Sequence, residues 1–339
     1  MLMDYENLAK KVLSGKTPNR EEAHAIISAP SSDLMLILNA SFKIRKKYFD
    51  KFVQIHYLIN AKSGICPEDC AYCSQSSVSD SEIEKYGLVD DKTLLKGAQE
   101  AFEAGSRRYC IVISARGPND YEIKRLSSAV KQIKKKYDLS ICCSLGLLNE
   151  EQASILKESG VDRLNHNLNT SKTFYEKICS THTYEDRVET LKNARENGLE
   201  LCSGVIFGQG ESDEDIIDIC EELNKISPES IPVNFLNPIP GTPLEKLTLM
   251  TPIKCLYLVA LMRFYNPTSE IRIAGGREIQ LKSLQPLSLL PANSIFVDGY
   301  LTTPGQASKD AHDMISDMGF IPDVKGSSDS VRKEVEVRI

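Results

Sequence analysis

No stretch of this sequence reaches the roughly 18 charge-free apolar residues that a membrane-crossing helix needs. The opening segment, MLMDYENLAKKVL, puts acidic residues where a secretory signal requires an apolar core. Together these absences lead us to expect a cytoplasmic protein with no membrane partner. Basic excess is missing too. The chain has 41 lysines and arginines against 47 aspartates and glutamates, a net charge of -6, so nucleic acid is not expected as a partner. What is present is enough apolar material, 41% of 339 residues, for one large domain or two smaller ones. There are also ten cysteines. In a reducing compartment these do not read as a disulfide framework. Some should be metal ligands or catalytic groups, and the rest small core residues.

Short apolar or β-branched runs recur between longer helical patterns: residues 54–60, 108–114, 140–146, 163–169, 199–208, 230–237, 271–276 and 294–299. Strand alternating with helix implies a parallel sheet. Eight such units fit a (β/α)8 TIM-type barrel with added N-terminal helices, a doubly wound open sheet being the lesser alternative. Residues 1–50 read as the helical extension and 51–322 as the barrel. Residues 323–339 read as a charged tail with no long apolar period.

The active site of a parallel barrel lies at the C-terminal ends of its strands. Just beyond the first strand stands GICPEDCAYCSQ, with Cys66, Cys70 and Cys73 spaced by three residues and then two. Thiolates this close repel one another unless a cation neutralises them. A structural zinc site normally closes with four protein ligands, and no fourth Cys or His is expected nearby. Three ligands suit a cubane iron-sulfur cluster with one iron left open, whereas electron-transfer clusters usually have four cysteines. Zinc and unligated core thiols are the remaining alternatives.

Strand periodicity suggests what enters the lumen. In 163–169 it sets Leu164, His166 and Leu168 on one face and Asn165, Asn167 and Asn169 on the other. Single cysteines recur in mid-strand as Cys110, Cys142 (with Cys143 opposite) and Cys202, and Arg272 sits between two isoleucines. If those isoleucines meet helices, the guanidinium points inward, where it demands partners. Each feature alone has an ordinary explanation, since buried cysteine is common and asparagine often serves turns. Taken together, three thiols and an arginine on four strands can surround a second, smaller cluster. His166 and His182 read as structural, lacking a metal-ligand partner at useful spacing.

C-x3-C-x2-C with Tyr72 before the last cysteine resembles the signature of the radical S-adenosylmethionine enzymes. Within that superfamily, residues 40–320 resemble the biotin synthase family through GICPEDCAYCSQ, NHNLNTS, LCSGVIFGQGE, GTPLE, IRIAGGRE, and ANSIFV followed by LTTPG. The resemblance implies that Cys66, Cys70 and Cys73 hold a 4Fe-4S cluster whose open iron chelates S-adenosylmethionine, and that Cys110, Cys142, Cys202 and Arg272 hold a 2Fe-2S cluster. It implies that Tyr72, Asn167, Asn169 and Ile206 contact S-adenosylmethionine. It also sets Asn165, Asn167 and Asn234 facing the substrate ring or the nucleoside, and Thr302 and Thr303 near the substrate's carboxylate tail. The implied reaction is sulfur insertion into dethiobiotin, with two S-adenosylmethionine molecules cleaved and the sulfur taken from the 2Fe-2S cluster. A flavodoxin- or ferredoxin-type electron donor, iron-sulfur assembly machinery and a homodimer are implied as partners, and residues from about 230 to 322 as a region associated with biotin and thiamin synthesis. Two departures stand out: Asn169 where many members have aspartate, and Leu164 where they have tyrosine. Two rivals stay open: another radical enzyme on the same barrel, of hydrogenase-maturation or methylornithine-forming type, and an iron-sulfur scaffold or electron carrier.

Overall fold

The computed structural model describes residues 3–303 and 305–324. Its strands are β1 (Phe52–Lys62), β2 (Arg108–Ile113), β3 (Ser140–Ser144), β4 (Arg163–Asn165), β5 (Glu200–Cys202), β6 (Val205–Phe207), β7 (Ser230–Phe235), β8 (Glu270–Ile273), β9 (Ser294–Val297) and β10 (Ile321–Asp323). They run in the order β10-β1-β2-β3-β4-β5-β7-β8-β9, with β6 on β7. Parallel pairing from Gln54↔Ser294 to Tyr57↔Val297 joins β9 to β1 and closes the barrel. The open-sheet alternative is thereby excluded.

All eight expected segments form wall strands, with two differences. The run 199–208 breaks into β5 and β6 because the backbone of β7 presses against it. A Cβ on Gly204 would lie 1.9 Å from the carbonyl oxygen of Pro232, so only glycine fits there. The short β10 was not anticipated. Three residues carry no readable alternation, yet they pair with Phe52–Gln54 at the start of β1. The barrel wall therefore extends to Asp323, one residue into the expected tail, of which 325–339 lie outside the described residues.

The strand faces divide cleanly. Ile111, Ile141, Cys143, Leu164, Leu201, Ile231, Ile271, Ile273 and Ile295 are fully or almost fully buried in the main core, beneath the surrounding helices. Each such side chain contributes about 1.5–3 kcal/mol of burial. Helix starts are marked in sequence: Asn119, Asn149, Thr183 and Ser212 close capping boxes with Glu122, Gln152, Asp186 and Asp215, each cap stabilising its helix by ~1 kcal/mol.

Three helices, Tyr5–Leu13, Arg20–Ile27 and Leu34–Phe49, precede β1. The last of them sends Arg45 into the base of the barrel, where Nε donates to the Ala292 carbonyl at 3.0 Å and Nη2 to that of Phe52 at 2.9 Å. From the helix Pro252–Tyr265, Arg263 donates to the carbonyls of Pro291 (2.8 Å) and Ser269 (2.8 Å) and to Asn293 Oδ1 (2.7 Å). Both guanidiniums hold the segment that leads into β9.

Candidate active site

Inward-facing residues stack in layers. The floor is ionic and built around Glu270 of β8. Its Oε1 accepts from Arg272 Nη2 at 2.7 Å and lies 3.0 Å from His56 Nε2, while its Oε2 accepts from Arg163 Nη1 at 2.9 Å. Burial pushes this carboxyl up, but the surrounding Arg272, His56 and Arg163 hold it well below the usual range. Burial holds His56 down at about 3, so at neutral pH its ring is uncharged. Burial likewise lowers Arg272, and the Glu270 carboxylate more than reverses this, so the guanidinium stays protonated. Ser230 Oγ (2.5 Å) and Ser294 Oγ (3.3 Å) also accept from it.

Above the floor, Cys110, Cys142 and Cys202 form a small packed group with Ala274 and Phe296, flanked by Leu58 and Tyr300. Strand register sets Cys110 opposite Cys142, and Asn165 opposite Cys202. Asn165 Nδ2 lies 3.1 Å from Cys202 Sγ, and Arg272 Nη1 3.8 Å from it. A hydrogen bond from the Cys110 side and burial push Cys142 up to about 12, and burial raises Cys202 strongly. Neither would ionise near neutral pH without a bound cation. Buried Arg108 leaves Nε and Nη1 without a hydrogen-bond partner among the described residues. Three thiols, a fixed cation and orphaned N–H donors fit an anionic, sulfide-bearing group such as a 2Fe-2S cluster.

The upper layer is the loop after β1. Cys66, Cys70 and Cys73 line a cavity of about 300 Å³ that also reaches Cys110, Cys142 and Arg272. Burial raises Cys66 and pushes Cys73 up to about 11; a hydrogen bond with Cys179, then burial, raises Cys70. Deprotonation here again calls for metal, and three thiols on one short loop suit a cubane with an open iron. Tyr72 OH accepts from Asn169 Nδ2 at 2.6 Å. Asn169 sits at φ 71, a left-handed conformation that Asn and Asp share, so asparagine meets the backbone demand of this position as aspartate does.

Every expected site residue except Cys202 lines this one cavity. Cys202 is fully buried behind it. Asn234 has both amide ends engaged, donating to the Val205 carbonyl and accepting from Gly275 N–H. Thr302 Oγ1 lies 2.8 Å from Ser74 Oγ, and Thr303 donates to the Tyr300 carbonyl. β4 ends at Asn165, so strict alternation stops there and His166 reaches the cavity beside its neighbouring asparagines.

Two sequence readings need correction. A fourth thiol does approach the loop: Cys179 Sγ is 3.7 Å from Cys70 Sγ. His182 is not without metal-ligand neighbours, because its ring nitrogen, Cys70 and Cys179 lie within 4.8 Å of one another. The segment 179–183 follows β4, more than a hundred residues from the loop it packs on, so local spacing could not reveal it. Arg187 was also missed. This buried cation bonds Tyr175 OH and the Asn167 carbonyl, lines the cavity and has no carboxylate partner among the described residues. Glu270 was legible in principle, two residues before Arg272 on the same strand face.

The radical SAM superfamily pattern matches residues 61–223, and the Biotin and Thiamin Synthesis associated domain matches 232–321. Methylornithine synthase superposes with a TM-score of 0.82 at 21% identity, covering 97% of this chain and 99% of that one. The FeFe-hydrogenase maturase HydG from Carboxydothermus hydrogenoformans gives 0.79 at 16%, covering 94% and 79%. These likenesses carry the fold alone. Sequence comparison goes further: the biotin synthase of Rhodopirellula baltica is 52% identical over 96% of this chain and 90% of its own length, and that of Bacillus subtilis 50% over 93% and 94%. By that likeness, on this barrel and around this cavity, the chain belongs to the biotin synthase family of radical S-adenosylmethionine enzymes.

Proposed function

We propose that the chain inserts sulfur into dethiobiotin, with Cys66, Cys70 and Cys73 holding a 4Fe-4S cluster and with Cys110, Cys142, Cys202 and Arg272 surrounding a 2Fe-2S cluster. The observation that carries this reading is the cavity that Cys66, Cys70 and Cys73 share with Cys110, Cys142 and Arg272 along a corridor of amides, with Cys202 buried just behind it. When bound, the first cluster would supply the electron that turns S-adenosylmethionine into a source of carbon-centred radical, and the second would supply the sulfur.

The chain's own residues bind, orient and exclude water. Arg187 offers a desolvated cation to the carboxylate of S-adenosylmethionine. Tyr72 and Asn169, locked together, and Asn167 and Ile206 frame its adenosyl part. Asn165 and Asn167 face the ureido ring, with Asn234 limited to its spare donor and lone pair. Thr302 and Thr303 face the carboxylate tail. The ionic floor supports a cationic Arg272, which offsets thiolate and sulfide charge, over a neutral nitrogen donor. The row of cavity-lining amides argues against a scaffold or electron carrier, which has no use for them. An electron donor of flavodoxin or ferredoxin type, assembly machinery that rebuilds the smaller cluster and a homodimeric state belong to the same proposal.

Anaerobic reconstitution tests it. About six irons per chain are expected for four plus two, with S-adenosylmethionine cleavage under a reductant and biotin formed from dethiobiotin. About four irons would remove the second-cluster assignment.

A further inference from the structure

Around Cys70 the fold gathers more donors than a three-thiol cluster needs. Cys179 Sγ lies 3.7 Å from Cys70 Sγ, 3.2 Å from His182 Nδ1 and 3.3 Å from Asp69 Oδ1. All three of Cys70, Cys179 and His182 are buried. Two sulfurs bound tetrahedrally to one zinc ion lie ~3.8 Å apart, and a sulfur and an imidazole nitrogen ~3.5 Å apart. The observed spacings match to within a few tenths of an ångström. The other nitrogen of His182, Nε2, faces Tyr175 OH at 2.8 Å, which orients the ring as the outer partner of a ligating histidine does, while Glu68 Oε2 contacts Nδ1 and must give way when an ion binds there. Asp69 Oδ1, held by the backbone N–H groups of Ser180 (2.9 Å) and Thr181 (3.2 Å), steadies Cys179 from outside the ligand set.

We propose that Cys70, Cys179 and His182 form a three-ligand binding site for a soft divalent cation of the zinc type in the cluster-free chain, with water in the fourth position. Binding releases to solvent the protons still carried by the two sulfurs and by His182 Nδ1, and leaves a neutral imidazole as the third ligand. Cys70 cannot serve two centres, so this ion and a cluster on Cys66, Cys70 and Cys73 exclude each other. That exclusion rests on the cluster assignment made above; the ion site rests only on the geometry of Cys70, Cys179 and His182. The charge balance favours a dication, because the carboxylates of Asp69 and Glu68 border the two sulfurs and the imidazole, with Arg116 and Arg187 as nearby cations.

The test uses the full-length, cluster-free chain under anaerobic conditions and titrates it with cobalt(II), whose thiolate charge-transfer absorption counts bound sulfurs. One cobalt per chain with two-thiolate intensity, displaced by zinc, is expected. Cys179→Ser should weaken binding about tenfold or more and remove half of the band, His182→Gln should weaken it without changing the sulfur count, and Cys66→Ser should leave it unchanged. Cys179→Thr serves as a second variant, with the far-UV spectrum reporting folding. Loss of binding in Cys66→Ser with normal binding in both Cys179 variants would place the ion on the loop thiols and overturn the site. Preloaded zinc should slow iron and sulfide uptake in the parent more than in Cys179→Thr. Equal uptake would refute the exclusion alone. Failure of both proteins to build a cluster without zinc would refute the cluster assignment and leave the cobalt result standing.

Discussion

Replacing Glu270 by glutamine isolates the buried floor. The carboxylate bonds Arg272 at 2.7 Å and Arg163 at 2.9 Å and touches His56 at 3.0 Å, with 4% of its side chain exposed. Removing one partner of a buried pair costs ~3–5 kcal/mol because the cations left behind stay desolvated. On a scale of about 1.4 °C per kcal/mol for a chain of 339 residues, the melting temperature should fall by roughly 4–7 °C. Glu200→Gln is the control. That carboxylate also pairs with Arg163, at 2.8 Å, and with Arg108, at 3.5 Å, but is 47% exposed, so water can replace it and its loss should cost less, ~1–2 kcal/mol. Thermal unfolding of the cluster-free chains measures both. The sign with pH follows from the folded carboxyl lying well below its unfolded value. Its contribution is fully present above about pH 4.5 and is lost only as pH falls through the lower folded value. The difference between parent and variant should therefore be flat from pH 5 to 8. Equal melting shifts for Glu270→Gln and Glu200→Gln, or a difference that grows between pH 5 and 8, would refute this account of the floor.

Alanine at Cys66, Cys70 or Cys73 should abolish S-adenosylmethionine cleavage, measured as 5'-deoxyadenosine; a variant that cleaves normally with normal cluster absorption would sink the radical assignment. Alanine at Cys110, Cys142 or Cys202 should spare the 4Fe-4S spectrum and stop biotin formation, and a parent rate in any of them would return these thiols to the core. For Arg272, lysine, methionine and alanine should all keep some second cluster and measurable biotin, lysine being mildest because it keeps the cation without the planar fork; no second cluster at all in the alanine variant would show the arginine to be indispensable. Arg187→Met should raise the KM for S-adenosylmethionine ~10- to 100-fold, the worth of one charge-assisted bond, and an unchanged KM would assign the guanidinium to Tyr175 alone.

The walls of the barrel were legible because each strand mixes β-branched outer residues with an unexpected inner one, as Ile271 and Ile273 do around Arg272. The loop thiols were legible because a tight spacing is local information. What joins distant segments was not. Nothing near Cys70 in sequence announces Cys179 or His182, and Arg187 looks like any arginine on an amphipathic helix until the fold turns it toward the cavity. The split between β5 and β6 depends on the approach of Pro232, which a single strand pattern does not contain. β10 was too short to show a period.

The seam between β1 and β9 carries a consequence for how the chain is made. Gln54 and Ser294 must meet to close the barrel, so during synthesis β1 waits with one edge unpaired until nearly the last strand has left the ribosome. An open strand edge is a hazard for mispairing between copies. Arg45 reaches the Ala292 carbonyl and Arg263 those of Pro291 and Ser269, so the residues just ahead of β9 are caught from two helices that have already emerged. The N-terminal helices are then a latch for the seam, and shortening them should first appear as aggregation during expression and only later as lost activity.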